Sequence, residues 1–220
     1  MRFRTLFLAA ALSAGFAPHK GAEPPTVANG RAPRLHRDVT WTAHAGGPTG
    51  WRAIVDHDTG VPVRMWGPSI ATPGATRDAA IADSQARSYL AAHIATLAPG
   101  ATLADFKPLA NVLDTSGTIR TVTFAQYAQG LAVLGGAVSF TFERDHLIMI
   151  GSSALPHVSV RIPGEHLPAA TLESKAQLWL GQSTVVRSHG DRIILPLVHS
   201  RGNASAPDIE YRVVETVSLQ

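Results

Sequence analysis

From Val122 to Phe142 the chain carries two runs in which apolar side chains alternate with small or polar ones, joined by a stretch that holds three glycines. Val122 and Phe124 alternate with Thr121, Thr123 and Ala125, while Val138, Phe140 and Phe142 alternate with Ala137, Ser139 and Thr141. A period of two places each apolar set on one pleated face, the pattern of a sheet with one buried side. Glu143 to His146 forms a polar turn and Leu147 to Ile150 returns as a third strand, which predicts an antiparallel meander. The stretch from Gly130 to Gly136 is the expected turn between the first two strands. Gly130 permits a positive φ there, and Gly135-Gly136 lets the chain bend, bulge or meet another backbone closely.

The flanking sequence supplies elements to cover this sheet. Trp51 to Asp56 and Val61 to Trp66 read as paired strands across His57-Asp58-Thr59-Gly60, a turn whose Asp and Gly suit the dihedrals required. From Asp78 to Leu97 the period changes, and Ala82, Ala86, Leu90, Ile94 and Leu97 fall on one helical face. Thr76 or Asp78 can cap this helix, and Pro99-Gly100 ends it. Leu103 to Phe106 then leads into a strand near Asn111. Past Leu155-Pro156 a second helix places Leu172, Ala176, Trp179 and Leu180 on one face and closes at Gly181. Strands at Ile193 to Val198 and Ile209 to Val217 follow, joined by a loop from Ser200 to Pro207. The expected fold class is α+β: an antiparallel β-sheet meander packed by a helix, followed by a smaller unit of a helix plus strands.

At Phe124, Gln126, Tyr127, Gly130-Leu131-Ala132-Val133-Leu134-Gly135-Gly136, Val138 and Phe140 the chain resembles the propeptide (FTP) domain of fungalysin-type and thermolysin-type secreted metallopeptidases. That family's pattern is a strand with a Gln and an aromatic, then Gly-hydrophobic-Pro-Val-hydrophobic-Gly-Gly, then two strands about a short polar turn. Ala132 replaces the usual Pro and His146 stands where a turn Gly is common. The core of the resemblance covers residues 119–157. The order of helix, strand, loop and strand around Tyr211 is similar to the PepSY module that often follows this domain. The organisation implied is a signal peptide over 1–17, an extended leader over 18–50, an FTP-like propeptide domain over 51–157 and a PepSY-like module over 158–220.

The compartment follows from the N-terminus. Arg2 and Arg4 precede an apolar run from Leu6 to Ala17 that is too short to span a bilayer and right for a secretory signal, so a secreted or periplasmic protein with no membrane attachment after cleavage is expected. The pI near 9.7 suggests nucleic acid, but without Arg2 and Arg4 there remain 17 basic against 16 acidic residues, and no basic patch is interleaved with aromatics. No nucleic-acid partner is expected. Zero cysteines exclude disulfides and thiolate metal sites.

Candidate chemistry is sparse. Ten histidines include no His-Glu-x-x-His or its inverse, and Glu165-His166 sits among Pro163, Gly164 and Pro168, where a zinc-binding helix cannot run. It reads as a solvated loop pair. Asp56-His57-Asp58 reads as hairpin-tip acids over a cation site. Gly151-Ser152-Ser153 lacks a nucleophile elbow, and Gly46 to Gly50 contains Pro and no following Lys, so neither a serine nucleophile nor a phosphate loop is expected. Trp51, Trp66 and Trp179 read as core before ligand groove. No catalytic, cofactor or metal residue is assigned.

The resemblance implies the pro-region of a secreted zinc metallopeptidase, acting as chaperone and inhibitor of a thermolysin/fungalysin-like catalytic domain in cis or in trans. Zinc is then expected only in that catalytic domain. The last residues, running out of a strand to Gln220, fit a fragment of a longer precursor. The alternatives are a free-standing exported peptidase inhibitor or protein-binding module, an enzyme of another class, and an adhesive or structural envelope protein.

Overall fold

The computed structural model describes residues 10–11, 40–43, 50–56, 58–181, 185–199 and 208–219. The expected signal peptide and leader lie outside these apart from two short strands, β1 (Ala10–Ala11) and β2 (Thr40–Ala43). The loop expected over 200–207 and His57 also lie outside them.

The central hairpin forms as the alternation predicts. In β6 (Ile119–Ala128) every even-numbered side chain from Arg120 to Ala128 is buried, and in β7 (Leu131–Glu143) Val138, Phe140 and Phe142 are fully buried. The turn between them is shorter than the sequence suggests. Only Gln129 and Gly130 connect the strands, both with positive φ (51° and 85°), as a tight hairpin turn of the twist-matching kind requires. Leu131 to Gly136 already belongs to β7, so the expected turn over 130–136 is corrected to two residues. The alternation there is hidden because a bulge shifts its phase: the buried position is odd at Val133 and even at Gly136, Val138 and Phe140. The third strand, β8 (His146–Ser152), follows a turn at Arg144-Asp145, again with both φ positive.

The hairpin of β3 (Arg52–Val55) and β4 (Pro62–Ala71) forms as expected, and β4 joins the meander through β8. Helix α1 (Ala79–Leu97) starts at Asp78, whose carboxylate accepts from the amides of Ala80 and Ile81 at 2.8 and 3.1 Å. It ends at Ala98, ahead of Pro99, and Gly100 takes the left-handed conformation one step later than a simple glycine cap would. Ala82, Ala86, Leu90 and Leu97 pack with Met65, Phe124, Phe140, Phe142, Leu147 and Ile150 into the main core. Burying each such Leu or Phe contributes about 1.5–3 kcal/mol. A 3-10 turn at Leu103–Asp105 leads into β5 (Phe106–Leu113), which pairs with β6.

The trailing unit comprises α2 (Ala169–Leu180), β9 (Val186–His199) and β10 (Asp208–Leu219). The first half of β9, Val186 to Arg192, is a strand the sequence reading missed, because its polar side chains carry no apolar alternation. In α2, Leu172 and Ala176 are buried against Val217 and Trp179 is half-buried, whereas Leu180 is exposed and so leaves the expected apolar face. The architecture is α+β, with a curled sheet of many strands and two helices.

The sheet branches at β7. On one side β7 pairs with β6 along its whole length. On the other, its first half pairs in parallel with β9 at Ala132 and Val133, and its second half pairs antiparallel with β8 from Val138. The neighbour changes at Gly135-Gly136.

Candidate protein-binding surface

Of the residues that carry the sequence motif, Gln126, Val133, Gly135 and Gly136 converge on that branch point. Phe124, Val138 and Phe140 fill the main core, with the rings of Phe124 and Phe140 edge to face at 6.2 Å between centroids. Gln126 is 1% exposed, and its side chain acts as a short piece of strand: Oε1 accepts from the Leu155 amide at 2.8 Å and Nε2 donates to the Leu155 carbonyl at 2.9 Å. Gly136 is the reason this fits. A Cβ there would lie 2.7 Å from Gln126 Oε1 and 3.0 Å from Gln126 Cβ. Gly135, with φ of 79°, turns the chain through the bulge, and its carbonyl accepts from Ser153 Oγ at 2.6 Å. Val133 faces Ala128, Leu155 and Ile194 in a separate apolar cluster at the junction of the meander with β9. Tyr127 points to the opposite face of β6, where Lys107 Nζ lies 4.0 Å from its ring centroid. Gly130 sits in the hairpin turn with nothing near its missing Cβ.

The strap that Gln126 holds, residues 153–157, and Ser152 just before it are gripped from two other sides. Ser152 Oγ donates to the Leu97 carbonyl at the end of α1 at 2.9 Å, and the His157 amide donates to the Pro99 carbonyl at 2.7 Å. From the trailing unit, Tyr211 donates its hydroxyl to the Pro156 carbonyl at 2.6 Å, and burial pushes its phenol up to about 12. The serines considered for nucleophilic chemistry are thus structural.

The other candidates resolve similarly. Asp56 Oδ1 accepts from the amides of Asp58 and Thr59, which makes it a turn acid. Glu165-His166 is not simply a solvated loop pair: the Arg192 guanidinium donates to the carbonyls of Pro163 and Glu165, and Glu215, 4% exposed, accepts from Arg192, from the Leu167 amide and lies 3.3 Å from His166 Nδ1. The buried Arg192 and Glu215 pair pins that loop to the β9 and β10 hairpin. Among the described residues no group of three His, Cys, Asp or Glu could hold a metal ion. Trp51 and Trp179 pack as expected, but Trp66 lies on the sheet face opposite the buried Met65 and is only half-buried.

A surface remains that no described helix covers. α1 packs on the core face of the meander and α2 against the β9 and β10 hairpin. The outer face presents Thr121, Thr123 and Ser139 around Thr141, itself only 8% exposed, bordered by Met149 and Trp66 on one side and by Val112 on the other, in one lateral register. Small side chains leave it flat. It ends at β5, which pairs with β6 and with no other described strand, and which exposes seven successive residues including Leu109 (63%) and Val112 (59%). Sequence reading missed β5 as an edge because only Phe106 among its residues is buried, so no alternation marks it. A flat face bounded by an open edge can bind protein by shape and by main-chain pairing.

No protein-family model matches the chain, and no curated protein matches it. Among solved structures it aligns with the Bacillus megaterium YpeB C-terminal domain over 76% of this chain and 67% of that one, with 11% sequence identity and a TM-score of 0.37. A superposition that loose carries no argument about fold or function.

Proposed function

We propose that this chain is the exported pro-region of a secreted zinc metallopeptidase of the thermolysin/fungalysin kind, a chaperone and inhibitor of a catalytic domain with which it pairs in cis or in trans. The observation that carries the reading is the joint role of the motif residues. Gln126, Val133, Gly135 and Gly136 make one device, a bulged branch strand with a clamped strap, and it needs those residue types at those spacings. On this reading 158–220 is the PepSY-like module and the outer face of the meander is the docking face. Docking of standard size buries about 1,200–2,000 Å² in total. Binding the native-like state of the catalytic domain stabilises that state by mass action, and covering its cleft blocks substrate. Zinc chemistry then resides in the peptidase.

The same face serves a free-standing exported inhibitor. Three apolar clusters give the chain cores of its own, so binding in trans needs no fused domain. The test adds the purified chain to a thermolysin-like peptidase and follows peptide hydrolysis, and in parallel follows recovery of activity when the denatured peptidase is diluted with and without it. Slower hydrolysis at micromolar chain, or a higher refolding yield, is expected. Unchanged rates and yields across thermolysin-type and fungalysin-type enzymes overturn the proposal.

A further inference from the structure

The open edge at β5 is self-complementary, and we propose that two copies of this chain pair antiparallel through it about a two-fold axis at Asn111, continuing one sheet across both. This inference stands apart from the peptidase reading.

Which groups face outward follows from the register. Pro108 lies opposite Phe124, and because proline has no N–H it occupies a slot whose amide side points away from β6. Asn111 opposite Val122 and Leu113 opposite Arg120 share that class, since Val122 and Arg120 are two and four residues from Phe124 on an alternating ladder. Their backbone groups therefore point to the open side. Pro108 and the bulge at Leu109 blunt the start of the edge, the usual protection against indiscriminate pairing. What remains open is Ala110 to Leu113, which is apolar apart from Asn111. The Asn111 side chain already accepts from Arg120 Nη1 at 2.7 Å and donates to the Ala79 carbonyl at 2.8 Å.

The occupant is indicated by charge. β5 holds one charged residue, Lys107 near its start, and Asp114 follows its end. Antiparallel pairing of two copies exchanges these ends. With Asn111 on the axis, Ala110 faces Val112 of the second copy, and Pro108 with Leu109, which count as one step across the bulge, face its Leu113. Lys107 then stands opposite its Asp114. Apolar meets apolar and cation meets anion in one register, as an isologous interface demands.

The test measures mass by light scattering and sedimentation of the full chain from low micromolar to several hundred micromolar. A reversible shift toward twice the 23.2 kDa chain mass is expected. Val112→Lys and Lys107→Glu, both at exposed side chains with folding checked by circular dichroism, are each expected to raise the dissociation constant at least tenfold. The chain has no cysteine, so an equimolar mixture of Ala110→Cys and Val112→Cys copies is expected to oxidise to a heterodimer faster than either alone forms homodimers. A chain monomeric throughout, a dimer indifferent to both charge variants, or no preference for the mixed disulfide overturns the proposal; a monomer whose edge is instead protected by an added peptidase domain places another occupant there and overturns it equally.

Discussion

Gln126 shows how a polar side chain on a buried face is retained. Its amide satisfies both backbone groups of Leu155, itself 7% exposed, so the polar atoms are removed from water in matched pairs. Gln126→Leu would fill the same space but strand a buried N–H and a buried C=O, at an expected cost of about 2–5 kcal/mol by urea denaturation. Gln126→Glu is expected to fall between the two. Its carboxylate still accepts from the Leu155 amide but faces the Leu155 carbonyl, so its folded pKa is raised, and its stability deficit shrinks as pH falls from that raised value to the ordinary glutamate value near ~4.3 and stays constant below it. A Gln126→Leu protein as stable as the parent would refute this role. The position, though not its partner, was legible. Residues 120, 122, 124, 126 and 128 share one face by parity, so Arg120 and Gln126 had to be buried among Val122 and Phe124. The acceptors lie far off in sequence: Leu155 for Gln126, and for Arg120 the carbonyls of Thr76 and Arg77. Nothing local announces such pairings.

At the level of elements, the two glycine sites that look equivalent in sequence answer to different constraints. Gly130 has a positive φ and open space where a Cβ would go, so only the backbone cost of a left-handed residue applies. Gly136 has no such φ, and its constraint is contact with Gln126. Gly130→Asn is therefore expected to be nearly neutral and Gly130→Ala to cost about 1 kcal/mol. Gly136→Ala is expected to cost about 1–3 kcal/mol by overpacking, and to lose part of that cost in a Gln126→Ala background, where the nearest obstructing atom, Oε1, is gone while the Cβ atoms of residues 126 and 133 remain at 3.0 and 3.2 Å. Additive costs in the double variant would count against the contact. The bulge also explains why the fold was only partly readable here. The strands on either side were visible as alternation, but Leu131 to Gly136 looked like a turn, because a phase shift within a strand breaks the period by which strands are recognised. The β5 edge was hidden for the complementary reason, since an exposed edge strand has no buried face to print on the sequence.

The molecule as a whole is held together across the branch by few contacts. The ladder between β7 and β9 is only two residues long, at Ala132 and Val133, so the trailing unit relies on the junction cluster around Ile194 and on Tyr211 at the 153–157 strap. Such a unit is expected to open as its own cooperative block, with faster amide exchange in β9 and β10 than in β6 and β8. Tyr211 gives this a pH signature. Burial raises its phenol to about 12 from 10.0, so the neutral form is favoured in the folded state. The stability it adds is fully present below pH 10 and is lost as pH rises from 10 through about 12. Tyr89, raised in the same direction by burial, lies on α1 and titrates within the main core unit instead. Tyr211→Phe keeps the ring in the cluster and removes both the hydroxyl bond to Pro156 and the ionisation. Below pH 10 the variant is expected to exchange faster than the parent in β9 and β10 with little change in the meander. Between pH 10 and 12 the parent's rate in that block is expected to climb toward the variant's, because the parent then loses by ionisation what the variant lacks by construction. Exchange measured by mass spectrometry across that range decides it: curves that stay parallel would mean that Tyr211 packs at the junction without fastening it.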